Sequence, residues 1–99
     1  MKQVLWWLIA GSRGGINRAR IIQLLRRRPY NANQITQLLD LDYKTIRHHL
    51  EVMKKHKMIS LTGEGYGAMY FLTEQMEASY NDFMEIWKQV GAPTEAIEE

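Results

Sequence analysis

The chain contains no cysteine among its 99 residues. Disulfides and thiolate metal sites are therefore excluded, and the composition suits a reducing cytoplasm. Long apolar runs are missing as well. The longest, Val4 to Ala10, falls far short of the roughly 20 residues that a membrane span needs. It has the length of a signal-peptide core, but Lys2 is the only charge before it, and Gly11-Ser12-Arg13-Gly14-Gly15 is a poor cleavage site. The expectation is a mature, soluble, cytoplasmic protein with no membrane partner. Catalytic signatures are also lacking: there is no Gly-rich phosphate loop, no nucleophile elbow and no pair of carboxylates in an apolar setting. Neither an enzyme nor a cofactor is expected. Acids are scarce in one half only. Residues 1–57 carry twelve Lys or Arg against Asp40, Asp42 and Glu51, a balance of +9, whereas residues 58–99 carry Lys88 against eight acids, a balance of −7. That split suits a polyanion-binding surface on one part of the molecule, or merely solvated helix faces, and needs a motif to support it.

What is present suffices for one folded domain, since 45% of the residues are apolar. The core is small, and chains of this size often gain stability by burying an apolar face against a second copy. Lys2 to Ala10 reads as a short helix that is apolar all round and so must be enclosed by protein on most sides. The glycines up to Gly15 read as a flexible joint. A second helix is expected from Asn17 as cap, with Ile16 and Ile21 at the spacing of a hydrophobic staple, Leu24 and Leu25 inward, and Pro29 as its stop. A third begins at Asn33 and turns Ile35, Leu38 and Leu39 inward. Asp40-Leu41 form a tight turn, and Asp42 caps a fourth helix from Tyr43 to about His56 with Ile46, Leu50 and Met53 inward. Two short strands follow, Ile59 to Thr62 and Ala68 to Leu72, joined by a glycine-rich tip. A last helix, capped by Thr73, carries Met76, Tyr80, Phe83, Trp87 and Val90 at heptad spacing.

Two short capped helices joined by a tight turn, the second exposing basic and polar side chains, are a helix-turn-helix. The first sets the angle of the second, whose N-terminal residues then enter the major groove. The stretch from Asn33-Gln34-Ile35 to Lys57-Met58-Ile59 resembles the ArsR-like winged-helix regulators, especially their small archaeal members. Leu41-Asp42-Tyr43-Lys44-Thr45-Ile46-Arg47-His48-His49-Leu50 carries the family's polar cap, Thr-aliphatic pair and His-His-Leu ending. Gly65 to Thr73 is similar to its wing, and Arg18 to Arg28 to the helix before the motif. The resemblance implies a mainly α fold with a small β-hairpin wing (α+β), a winged helix-turn-helix with N- and C-terminal dimerisation helices. Its parts are an N-terminal apolar helix and joint over 1–15, the winged-helix core over 16–73, a C-terminal helix over 74–91 and a tail over 92–99. Asp40 and Lys57 stand where the family commonly has glycine; Asp tolerates the left-handed conformation, and Lys57 there implies local strain. The family's metal sensors use thiolates, so metal sensing does not carry over.

On this reading the chain is a sequence-specific, double-stranded DNA-binding transcription regulator acting as a homodimer. The alternative is a winged-helix protein-interaction module in a transcription or replication assembly. Arg47 and Lys44 are the leading candidates for base or phosphate contact. Tyr43 and Thr45 lie at the helix start, Thr45 contacting DNA or only supporting the cap. His48 faces outward and His49 nearer the core, with Lys55 on the outward face. Arg18 and Arg20, with Arg26 to Arg28, are candidates to track phosphates, although a solvated helix end explains the last three equally well. Tyr66 is a DNA contact or a turn residue. A metal site from His48, His49 and His56 is disfavoured, because adjacent helical side chains point about 100° apart. Leu5, Trp6, Leu8, Ile9, Met76, Tyr80, Phe83 and Trp87 are assigned to the dimer interface. The operator, the sign of regulation and any small-molecule effector are not legible.

Overall fold

In the computed structural model, residues 1–90 are described, except for the side chain of Tyr66. Helix α1 (Lys2–Leu5) runs on into a π-helical turn, Trp6–Ala10. Then come α2 (Gly15–Arg27), β1 (Tyr30–Asn31), α3 (Ala32–Leu39), α4 (Tyr43–Lys55), β2 (Ile59–Thr62), β3 (Met69–Leu72), α5 (Glu74–Ala78) and α6 (Tyr80–Val90). The mainly α fold with a hairpin wing matches the expectation. The expected tail lies outside the described residues.

The chemistry of the termini explains the helix-turn-helix. Asn31 caps α3 in a reciprocal box: its Oδ1 accepts from Gln34 N–H at 2.8 Å, and Gln34 Oε1 accepts from Asn31 N–H at 2.9 Å. The cap is thus Asn31 and not Asn33, and Leu38, expected inward, is 54% exposed. At the turn Asp40 adopts φ 58°, ψ 48°, while its N–H and that of Leu41 both reach the Thr36 carbonyl. Asp42 then caps α4 by accepting from Thr45 N–H at 3.0 Å. Ile46, Leu50 and Met53 are fully buried, as the periodicity requires.

The sheet has three strands in the order β1-β3-β2, all antiparallel. Tyr30 pairs with Tyr70, and Ser60 with Phe71. The two-residue β1 is too short to leave a periodic signal, so the sequence reading missed it. Lys57, at φ 63°, turns the chain from α4 into β2. Thr73 ends the wing by donating from its hydroxyl to the Lys57 carbonyl at 2.7 Å, and it caps α5 through Met76 N–H.

The terminal helices correct the expected dimer seam. α6 packs on α1 and its π-helical turn within one chain. Leu5, Leu8, Ile9, Met76, Phe83 and Trp87 are all buried there, none more than 3% exposed. An apolar heptad pattern specifies a covered face without saying which chain covers it, and here the protomer covers its own. Tyr80 is half-buried, its ring 5.4 Å from that of Phe83. Of the assigned interface only Trp6 is exposed, at 49%, next to Trp7 at 56%; the first helix is therefore enclosed on one side and bare on the other. Ser79 separates α5 from α6, where a single helix was expected.

The glycine-rich joint is also tighter than the sequence suggested. α2 starts at Gly15 after a left-handed Gly14 (φ 86°), not at Asn17, and Ile16 is 53% exposed, so no staple forms. A Cβ on Gly15 would fall 1.9 Å from the Ile9 carbonyl oxygen, so only glycine lets these segments meet.

Candidate nucleic-acid interface

α4 presents its first turn to solvent beside the wing. Tyr43 and Lys44 are exposed there and Thr45 is half-buried; on the next turn His48 is exposed and Arg47 half-buried. The Lys44 ammonium has no ion pair among the described residues, which leaves it available to a phosphate. Tyr43 lies on the wall of a cleft of about 280 Å³ between α4 and the wing, along with Arg47, Lys54, Gly65 and Tyr70. Asn33, at the start of α3, borders the adjoining notch with Tyr43 and Arg47; the sequence marks it as a helix cap, whereas in the fold it is exposed next to the groove-entering end of α4.

Thr45 is committed to the cap. Its hydroxyl donates to Asp42 Oδ1 at 2.6 Å, so that proton is unavailable to a phosphate oxygen. The same bond, with Thr45 N–H, holds the Asp42 carboxyl below the usual carboxylate range. Arg47 is likewise oriented before any ligand arrives. Its Nη1 donates to the Tyr70 hydroxyl at 2.6 Å and its Nη2 to Glu51 Oε2 at 3.3 Å. Tyr70 is only 3% exposed, so the bond fastens the recognition helix to the middle strand of the wing.

Arg18 does not face solvent, which corrects its assignment as a DNA contact. It is 4% exposed, and its guanidinium donates to the Leu8 carbonyl at 3.0 Å, Ser12 Oγ at 2.6 Å and the Arg13 carbonyl at 2.9 Å. A fourth contact, 3.3 Å, reaches His49 Nδ1 on α4. Four acceptors make burial of the charge tolerable, although desolvation still lowers the Arg18 pKa. The site is a clasp joining the N-terminal turn, α2 and the recognition helix. His49, 5% exposed, must keep Nδ1 unprotonated to accept from Arg18. Burial first, then the charges of Arg18 and His48, push its pKa down to about 4.

Other basic residues are engaged away from α4. Arg20 donates to the Leu39 carbonyl at 3.2 Å, Arg26 pairs with Glu77 at 3.3 Å and lies over the Tyr80 ring, and Arg28 lies over Tyr30. Lys55 stands at the far end of α4, about 18 Å from Tyr43 at 1.5 Å per residue. There it borders a groove of about 530 Å³ with Met1, Val4 and His56, remote from the groove-entering turn. The side chain of Tyr66 lies outside the described residues, and the wing tip around it, Gly63 to Gly67, bears Glu64 and no cation. Among the described residues no three His, Asp or Glu gather to hold a metal ion, and no helix is long and apolar enough to cross a membrane.

Comparisons with known proteins agree with this geometry. Residues 17–60 match the family model of the bacterial regulatory proteins of the arsR family. A crystal structure of a probable transcriptional regulator from Pseudomonas aeruginosa superposes with a TM-score of 0.69 at 18% identity, covering 91% of this chain and 70% of that one. The adhesin competence repressor of Streptococcus pyogenes superposes at 0.54 and 13% identity, covering 82% of this chain and 69% of its own. At such identities these likenesses show the fold. No curated protein matches the sequence.

Proposed function

We propose that the chain, whose residues 17–60 match the arsR family model, is a winged helix-turn-helix transcription regulator that binds DNA as a homodimer reading a palindromic operator. The observation that carries the proposal is the first turn of α4. Its Tyr43 and Lys44, with His48 on the next turn, are exposed on a helix capped by Asp42 and braced by α3. Base edges in the major groove would meet this turn, with Lys44 on a flanking phosphate.

Self-association draws on a different surface from the expected heptad seam. Trp6 and Trp7 are adjacent and about half exposed, the Trp7 ring meeting His56 edge-on and the rest of the pair open to solvent. Large aromatic side chains of this kind are enriched where proteins meet. A two-fold axis beside this pair would present two α4 helices to DNA, with half-sites about 34 Å apart or a multiple of that. The same bare pair also favours the second reading, a docking module for another protein.

Gel shift on random and genomic duplexes over a salt series, with sedimentation at micromolar concentration, tests both. Salt-weakened binding by a dimer is expected, and Lys44→Ala should reduce affinity about equally for all sequences. A folded protein whose retention of DNA is absent or flat in salt would favour the docking module, and a sedimenting monomer would remove the homodimer.

A further inference from the structure

The cleft between α4 and the wing contains an arrangement that neither the family match nor the helix-turn-helix explains. Glu51 lies one helical turn after Arg47, on the exposed face of the recognition helix. Its two oxygens point to different cations: Oε2 lies 3.3 Å from Arg47 Nη2, and Oε1 lies 3.8 Å from Lys54 Nζ. A carboxylate on a surface that approaches DNA opposes binding, because it repels phosphates. Here it does more, since it occupies both cations that line the cleft. Arg47 is held in place from its other side by the Tyr70 hydroxyl at 2.6 Å, so its guanidinium stays aimed at the cleft whether or not Glu51 is there.

We propose that the cleft is a seat for one DNA backbone phosphate, and that Glu51 fills it in the free protein as an intramolecular stand-in. Two oxygens bridging a guanidinium and an ammonium are the pattern in which two non-bridging phosphate oxygens would be bound. The cleft, about 280 Å³, is open to solvent and wide enough for a phosphodiester. All three charged side chains are between 40% and 53% exposed, so the internal pairs are weak and exchangeable. On DNA, Glu51 would swing out while Arg47 and Lys54 transfer to the phosphate. The exchange makes every encounter with non-operator DNA compete with Glu51, so Glu51 limits sequence-independent affinity. This inference rests on the DNA-binding reading above.

The test is fluorescence anisotropy with a labelled random-sequence duplex at low and moderate salt, using wild type, Glu51→Gln, Arg47→Met and the double variant. Circular dichroism monitors the fold of each, and Glu51→Gln is isosteric at an exposed position. Glu51→Gln should bind about 5- to 10-fold more tightly, with a log–log salt slope steeper by up to about 0.9. In the Arg47→Met background the same substitution should gain less than about 2-fold, because the released cation is gone. Unchanged or weaker binding by Glu51→Gln would overturn the seat. So would an equal gain in both backgrounds, which would reduce Glu51 to general repulsion. If wild type binds no duplex at any salt, the DNA-binding reading itself fails, and the wild-type curve alone reveals it.

Discussion

His49 gives the protein a measurable acid sensitivity. The residue is 5% exposed, accepts from Arg18 through Nδ1, and has its pKa pushed down to about 4 from an ordinary 6.5. Between those values the unfolded chain binds the proton and the folded chain does not, so stability falls as pH falls. The contribution is complete above about pH 6.5, is lost progressively down to about pH 4, and is level below. At about 1.4 kcal/mol per unit the full loss is roughly 3 kcal/mol, a large share of the 5–15 kcal/mol typical of a small domain. Protonation also turns Nδ1 into a donor facing the Arg18 guanidinium, so the clasp loses a bond and gains a repulsion. Urea unfolding followed by tryptophan fluorescence, at several values between about pH 7.5 and 4.5, measures the slope. His49→Gln supplies the control, because its amide oxygen still accepts from Arg18 and does not titrate. The difference between the two stability curves should widen toward roughly 3 kcal/mol at acid pH. Parallel curves, or a His49 ring resonance titrating near the ordinary value, would refute the reasoning.

Phe83→Glu should unfold the protomer outright. It deletes a fully buried ring, worth about 3–5 kcal/mol, and inserts a carboxylate without a partner. Trp6→Glu, at a half-exposed position, should leave thermal unfolding within about 1 kcal/mol of wild type while dissociating the dimer in sedimentation. A folded Phe83→Glu monomer would return the heptad seam to the interface. Lys57→Gly should stabilise the fold by about 0.5–1 kcal/mol in urea unfolding, relieving φ 63° at some cost in chain entropy; a loss of stability would show that the Lys57 conformation carries no strain.

The helix-turn-helix and wing were legible because their signals are local. Asp42 before Tyr43, the 46-50-53 spacing and the alternating glycines each act within a few residues. Even the misplaced cap had its marker, since Gln34 stands three residues after Asn31 and so completes a capping box there and not at Asn33. Arg18 is more instructive. Positions 18, 22 and 25 share a helical face, and Ile22 and Leu25 are buried, so the periodicity pointed Arg18 inward while its charge suggested solvent. What settles the conflict is non-local: the Leu8 and Arg13 carbonyls and His49 come from segments that only the tertiary fold assembles. The partner of an apolar seam is illegible for the same reason, since burial of Phe83 against α1 or against a second chain leaves the same spacing.

The charge split needs the same correction. A balance of +9 over residues 1–57 reads as a broad polyanion surface, yet much of that charge is engaged inside the protomer. Arg18 is buried, Arg20 holds the end of α3, Arg26 reaches Glu77 in the acidic half, and Arg28 lies over Tyr30. Lys55 and Lys57 stand at the far end of α4, away from the turn that enters the groove. The cations left are Lys44 on that turn and Arg47 and Lys54 along the cleft between α4 and the wing, the last two shared with Glu51. One phosphate at Lys44 and one in the seat between Arg47 and Lys54 predict a log–log salt slope of about −1.8 per protomer, or about −3.6 for a dimer on two half-sites. Nine would predict about −8 per protomer. The measured slope therefore reads out how many of these basic residues are structural: a value near the larger figure would mean that the clasps at Arg20, Arg26 and Arg28 open on DNA.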